Sequence, residues 1–163
     1  MKKSLLFVLM ICVVTVTSGQ LKARVICSAF TVDLLDGIVN GVRPDLHPDK
    51  IKEKLPCFTS AENEGPNAKC GGIISYKDRD IYFYTQRDYV EIGPKFKGKL
   101  SLPLMGAKRN SLFKWLGNPK LKDPDWDAYQ TQYGCIVLYF TKTGVVNKIQ
   151  FSTKQTETLQ LCQ

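Results

Sequence analysis

The chain has 163 residues and a formal net charge of +8, with 23 Lys and Arg residues against 15 Asp and Glu residues. This length allows one domain, or two small repeats that share a core, and it excludes a second large domain. The single histidine excludes two-histidine nuclease chemistry. The six cysteines include no Cys-x-x-Cys pair, which argues against a zinc site.

Residues 1–19 have the pattern of a cleavable export signal. Two lysines precede an apolar run from Leu5 to Val16, and small residues follow it as far as Gly19. The run is shorter than the roughly 20 residues that span a bilayer as a helix. We therefore expect a secreted or periplasmic protein with no membrane span after cleavage, in which residues 20–163 form a single globular domain. An uncleaved N-terminal anchor is the alternative interpretation.

Because an exported protein enters an oxidising compartment, we expect the cysteines beyond the signal to be oxidised. Cys57 and Cys70 enclose a loop of turn-forming residues, and closing a loop of that size stabilises by about 3 kcal/mol in the chain-entropy model. We expect a disulfide between them. Cys27, Cys135 and Cys162 are an odd set, so at least one is free or pairs between chains, and their pairing stays open.

The first half of the chain predicts a helix followed by three strands. Pro48 suits the first position of a helix and Pro56 ends it, with apolar residues at helical spacing between them. Three runs rich in aromatic and β-branched residues follow, over 72–76, 81–85 and 88–92, and they predict antiparallel strands.

The second half repeats this order. Asn110 or Ser111 is a suitable N-cap for a helix over 112–116, and Gly117 ends it. A polar loop with Trp126 and Tyr129 leads to a predicted hairpin with strands over 135–140 and 145–152. We therefore predict an α+β fold of two tandem helix-plus-antiparallel-strand units, about 37–92 and 106–152, with helices on one sheet face. A single unduplicated α+β domain is the alternative.

A family resemblance rests on the residues of both halves. They are Gly41-Val42, Lys50–Leu55, Cys57 and Cys70-Gly71 in the first half, and Phe113, Leu116–Pro119 and Ile149–Phe151 in the second. In this pattern, over about residues 37–152, the chain resembles the beta-lactamase inhibitory protein family and the related small outer-membrane assembly lipoproteins. The resemblance implies helical elements packed on an antiparallel sheet whose concave face binds another protein. The second half departs from the pattern because its loop lacks paired cysteines, and 93–105 has no place in it.

The residues that could support catalysis have simpler roles. His47 directly precedes Pro48, where it suits a helix cap. Pairs of carboxylates could serve a glycan hydrolase, but most lie among turn-forming residues. The run from Asp123 to Asp127 lacks the glycine and distal glutamate of a calcium loop, so we interpret it as a surface loop. We expect no enzyme activity, cofactor or metal site.

Eight basic residues and no acidic residue occur between Glu91 and Asp123. Such a basic block can bind an anionic glycan, lipid headgroups or an acidic protein. The alternative is that it forms a solvent-exposed rim without a binding role. We do not expect nucleic acid as a partner, because no groove-binding motif accompanies the charge. The residues of this basic patch are Lys95, Lys97, Lys99, Lys108, Arg109, Lys114, Lys120 and Lys122.

The strands alternate aliphatic and tyrosine side chains. Along 81–84, Ile81 and Phe83 face one side while Tyr82 and Tyr84 face the other. If helices cover the aliphatic side, the tyrosine side is an open surface of the composition enriched at protein interfaces. We therefore expect an exported, non-enzymatic, possibly inhibitor-like protein-binding module with an unknown protein partner. The alternatives are an envelope factor that binds anionic glycan or lipid headgroups, and a small glycan hydrolase. The predicted binding residues are Tyr76, Tyr82, Tyr84, Tyr139, Lys148 and Gln150.

Overall fold

Most of the regular structure of the protein is β-strand. The computed structural model describes residues 28–162, so the predicted export signal lies outside the described residues. Within that range α1 covers Pro48–Lys54, α2 covers Phe113–Leu116, and a 3₁₀ helix covers Arg109–Ser111. The strands are β1 (Thr31–Asp33), β2 (Ile38–Val39), β3 (Ser60–Glu62), β4 (Ile73–Tyr76), β5 (Ile81–Tyr84), β6 (Tyr89–Ile92), β7 (Lys99–Leu100), β8 (Leu121–Lys122), β9 (Trp126–Gln130), β10 (Cys135–Phe140) and β11 (Val146–Ser152).

The strands form two sheets. The large sheet has eight strands in the order β3-β4-β5-β6-β11-β10-β9-β8, and every neighbouring pair in it is antiparallel. The small sheet has the order β2-β1-β7, with β7 parallel to β1. The predicted α+β fold is therefore wrong: the part of the chain that the structure describes is mostly β, and its α-helices are only seven and four residues long.

One face of the large sheet, the core face, carries the hydrophobic core. Strand register places Ile74, Phe83 and Val90 side by side on β4, β5 and β6. The row continues through Phe151 on β11 and Ile136 on β10. All five side chains are buried. Burying each one contributes roughly 1.5–3 kcal/mol, so this row anchors the sheet.

The core face is covered mainly by the small sheet and by loops. Val32 of β1 and Leu104 of the loop after β7 lie fully buried in the same core. α1 contributes one buried side chain from within its bounds, Ile51, and α2 contributes none. The predicted helical layer is wrong for this reason: the helices are too short to cover eight strands, and the segments around them do so instead.

The topology of the large sheet is symmetric about its centre. α1 precedes the four strands β3 to β6, and α2 precedes the four strands β8 to β11. The last strands of the two sets, β6 and β11, are paired in the middle of the sheet. The proposed duplication, with units of about 37–92 and 106–152, stays a prediction.

The predicted Cys57–Cys70 disulfide is wrong. Cys70 is bonded to Cys162, with 5.5 Å between their Cα atoms and 92 residues between them in sequence. Cys57 is itself disulfide-bonded. The local-loop argument failed because the segment after β11 runs back across the sheet and brings Cys162 to the start of β4. Cys135 is the free cysteine of the described residues, and it is buried.

The predicted cap of α1 is confirmed. His47 is the N-cap residue, Pro48 opens the helix, and the His47 Nδ1 atom accepts a hydrogen bond from the Asp49 amide at 3.4 Å. This contact satisfies one of the backbone donors that the first helical turn leaves unpaired.

Candidate functional site

The face of the large sheet opposite the core carries Tyr82, Tyr84 and Tyr139 of the predicted binding residues, and we call it the tyrosine face. Its central row runs across five strands through Tyr82, Glu91, Gln150, Val137 and Ala128, which are paired in register. Residues paired in this way project from the same side of a sheet. Tyr82 and Glu91 are partly exposed, whereas Gln150 is only 1% exposed.

A second row lies next to the central row. Tyr139 pairs with Lys148 on one side and with Trp126 on the other, and all three are partly exposed. The Lys148 ammonium lies 4.0 Å from the centre of the Tyr139 ring, a cation–π contact. The structure thus brings together Tyr82, Tyr139, Lys148 and Gln150 of the predicted binding residues.

Tyr76 does not belong to this face. It is paired with Ile81, a core residue, and it is fully buried. Its hydroxyl donates a hydrogen bond of 2.8 Å to the carbonyl of Leu55, and its ring packs edge-on against Phe30 at 5.0 Å. The prediction for Tyr76 is wrong because strand alternation in β4 turns Ser75, and not Tyr76, toward the tyrosine face.

Glu91 organises the polar groups of the tyrosine face. Its carboxylate accepts a 2.6 Å hydrogen bond from the Gln150 side-chain amide and pairs with the Lys148 ammonium at 3.5 Å. Burial and then Glu91 raise the pKa of Tyr139 to about 12. Burial, followed by the carboxylates of Asp80 and Glu91, also raises the pKa of Tyr82. Both hydroxyls are therefore neutral hydrogen-bonding groups at physiological pH.

Sequence reasoning did not identify Glu91. Its signal is the alternation Val90-Glu91-Ile92, which turns a carboxylate away from two core side chains. The other oxygen of this network, Gln150 Oε1, is buried and has no hydrogen-bond partner.

The C-terminal segment, residues 153–162, closes one end of the tyrosine face. The Cys162 amide donates a 3.1 Å hydrogen bond to the hydroxyl of Tyr89, which is fully buried. Tyr84 stacks on Tyr89 with 4.3 Å between ring centres. At the same end of the sheet, the amide of Thr156 donates to the side chain of Gln130 at 3.2 Å. Tyr84 therefore lies at the border between the covered and the open part of the face.

A surface pocket of about 350 Å³ lies at the β3–β5 side of this face. Tyr82 and Tyr84 form one wall of it. The pocket is lined by Ser60, Ala61, Glu62, Ile73, Ser75, Lys77, Tyr82 and Tyr84.

The structure divides the predicted basic patch. The amides of Lys95 and Lys97 donate to Asp80 and Arg79 of the turn between β4 and β5, and Lys99 lies on β7. Lys108 forms a bridge with Val145, just before β11, whereas the remaining basic residues, from 109 to 122, lie on or near β8, at the far edge of the large sheet. β5 and β8 are five strand positions apart, which corresponds to about 24 Å at the usual strand spacing.

Arg109 holds the β8 edge together. Its guanidinium makes a two-point ion pair with Asp127, at 2.9 and 2.6 Å, and Asp127 is only 1% exposed. It also donates to the carbonyls of Asp123 and Pro124 and lies 4.5 Å from the centre of the Phe140 ring. Arg109 is therefore committed to the fold. Asp127 is not part of a surface loop as predicted, because this pairing buries it within β9.

Among residues 28–162 no cluster of His, Cys, Asp and Glu side chains could hold a metal ion, and no helix there has the length and apolar character needed to cross a bilayer. No known protein family, curated protein or solved structure matches the chain. The resemblance described above thus rests on the pattern of residues alone.

Proposed function

We propose that this protein is an exported, non-enzymatic protein-binding module whose partner docks on the tyrosine face. The observation that carries the proposal is the combination of Tyr82, Tyr139 and Lys148, all partly exposed, around the Glu91–Gln150 hydrogen bond. Tyrosine supplies a large apolar surface with a polar tip, and it is enriched where one protein binds another. The sequence resemblance points the same way, and it adds inhibition of the partner as one consequence of binding.

The contacts among these side chains support this function. The Lys148 ammonium is held between the Glu91 carboxylate and the Tyr139 ring, at 3.5 and 4.0 Å. Side chains that are already ordered lose less conformational entropy when a partner binds. The Cys70–Cys162 disulfide supports the exported location, because such bonds persist in oxidising compartments.

Glu62 and Glu91 are too far apart on the tyrosine face to act together as a glycosidase pair. Glu62 pairs with Ile73 and therefore shares this face with Glu91. Their strands, β3 and β6, are three positions apart, which is about 14 Å. The carboxylates of glycosidases lie roughly 5–10 Å apart. This pair therefore does not have the spacing that glycan hydrolysis requires.

An affinity capture tests the proposal. The purified protein, the double variant Tyr82→Ala/Tyr139→Ala and the control Phe113→Ala are each exposed to the extracellular and envelope proteins of the source organism. Phe113 is a suitable control because it is an exposed aromatic residue away from the tyrosine face, at the β8 edge.

The proposal predicts one protein that the wild type and Phe113→Ala both retain at moderate salt and that the tyrosine double variant loses. Retention of the same protein by all three, with all three folded by circular dichroism, would contradict the tyrosine face as the site. Retention of anionic polymers alone, only at low salt, would contradict protein binding itself.

A further inference from the structure

The β8 edge carries two exposed aromatic side chains, both on α2, that the tyrosine face does not use. Phe113 is 65% exposed and Trp115 is 39% exposed. Leu121, which is 41% exposed, pairs with Ala128 and therefore projects from the tyrosine face instead. The two aromatic residues lie within residues 113–122, which we call the α2–β8 edge. Of the described residues, only Leu35 and Phe58 are further large apolar side chains with comparable exposure. Such a concentration of exposed apolar groups marks an interaction surface.

Helical geometry explains why these residues point outward. Leu112, at the N-cap of α2, is fully buried, and Leu116 packs against the core one turn later. Because successive helical residues are about 100° apart, Phe113, Lys114 and Trp115 fill the opposite arc. The Lys114 ammonium lies 4.9 Å from the centre of the Trp115 ring.

The same edge is positively charged. Lys114, Lys120 and Lys122 are exposed, and residues 113–122 contain no acidic side chain. The ion pair that engages Lys120, with Glu157 at 3.8 Å, joins two groups that are each more than half exposed, so it leaves this lysine available. Phe113 and Lys122 also line the same surface pocket.

We propose that the α2–β8 edge binds the surface of a lipid bilayer that contains anionic lipids. Aromatic rings and lysines with long apolar stems suit the boundary between headgroups and acyl chains, where the rings are buried and the ammonium groups meet phosphates. A water-soluble polyanion would satisfy the lysines but would leave Phe113 and Trp115 in water. Charge complementarity together with the exposed apolar groups therefore selects the bilayer.

The depth of binding is limited by β8 itself. This strand is the last of the large sheet, so its outer edge presents unpaired backbone groups. Such groups cannot enter the hydrocarbon region without a large free-energy cost. The edge lies in the interfacial region, with Phe113 and Trp115 at the level of the headgroups.

Co-sedimentation with vesicles tests this inference. The purified protein, as exported by its host, is mixed with vesicles of phosphatidylcholine alone or of equal parts phosphatidylcholine and phosphatidylglycerol. The test variants are Lys114→Gln/Lys120→Gln/Lys122→Gln and Phe113→Ala/Trp115→Ala. The matched control is Lys95→Gln/Lys97→Gln/Lys99→Gln, which removes the same charge from the other side of the molecule.

The proposal predicts binding to the anionic vesicles that falls about fivefold for each edge lysine removed, and so about a hundredfold in the edge triple variant. The control should change by less than about threefold, since its lysines lie more than a Debye length away. In a Trp126→Phe background, Trp115 fluorescence should shift to shorter wavelength when anionic vesicles are added.

Three outcomes would overturn the inference: no binding to anionic vesicles, equal losses in the edge and control triples, or unchanged binding in Phe113→Ala/Trp115→Ala. The last result would mean that charge alone attracts the protein. The tyrosine variant Tyr82→Ala/Tyr139→Ala should bind vesicles as the wild type does. A failure of the bilayer-binding proposal can therefore be distinguished from a failure of the protein-binding proposal.

Discussion

The side-chain amide of Gln150 donates a 2.6 Å hydrogen bond to the carboxylate of Glu91, and this bond joins the two halves of the large sheet at β11 and β6. The same carboxylate pairs with Lys148. Removing the Glu91 carboxylate would take away the hydrogen-bond acceptor of the Gln150 side-chain nitrogen. Because the side-chain oxygen of Gln150 already has no partner, the whole buried amide would then be unpaired.

We therefore predict that Glu91→Ala lowers the free energy of unfolding by about 1–3 kcal/mol, the usual cost of an unsatisfied buried polar group. Denaturant unfolding measures this. The control is Glu53→Ala on α1, where the carboxylate is largely exposed and the expected change is within about 0.5 kcal/mol. Equal losses in the two variants would contradict the role of Glu91.

Arg109 and Asp127 provide a stronger test of the β8 edge. Arg109→Ala leaves the Asp127 carboxylate buried without its cation, and breaking a buried pair in this way costs about 3–5 kcal/mol. The neighbouring variant Lys114→Ala should unfold within about 0.5 kcal/mol of the wild type, because Lys114 is exposed. Thermal or denaturant unfolding of both compares them. A small effect of Arg109→Ala would show that the ion pair does not support the edge.

The disulfide between Cys70 and Cys162 leads to a further prediction. Peptide mapping without reduction should recover the Cys70 peptide joined to the Cys162 peptide. Cys162→Ala should lower the free energy of unfolding by about 2–5 kcal/mol, the range typical of a native disulfide that closes a long loop. Recovery of a Cys57–Cys70 peptide instead would contradict the described path of the C-terminal segment.

Cys135 should be chemically silent in the folded protein. Burial, with a smaller contribution from Glu157, raises the pKa of its thiol to about 12. Because the thiolate is the reactive form, a thiol reagent at mildly alkaline pH should modify Cys135 only after unfolding. The raised pKa contributes stability that is present below the ordinary thiol pKa and is lost as the pH rises toward 12. Rapid labelling of the native protein would contradict this burial.

The sequence predicted the elements whose local pattern decides their structure. The strands expected at 72–76, 81–85, 88–92, 135–140 and 145–152 correspond to β4, β5, β6, β10 and β11, and both α-helices begin within one residue of their predicted starts. Alternation along these strands also placed Tyr82, Tyr84 and Tyr139 opposite the core. These features follow from side-chain periodicity alone.

The remaining elements depend on contacts distant in sequence. β9 contains Asp127, which is unfavourable in a buried strand until Arg109 pairs with it, so a polar loop was predicted there. β1, β2 and β7 are two or three residues long and form only because they pair with one another. Tyr76 could not be assigned to a face without the register that opposes it to Ile81. The sequence prediction grouped Tyr76 with the other tyrosines because of its residue type alone.

The most direct test of the proposed function is a calorimetric dissociation constant for the captured partner protein, measured with the wild type, Tyr82→Ala/Tyr139→Ala and Phe113→Ala. If the tyrosine face is the binding site, the double variant loses at least about thirtyfold in affinity, as the removal of a binding hot spot does. Phe113→Ala should then bind like the wild type. Equal affinity of the wild type and the tyrosine double variant would contradict the central claim.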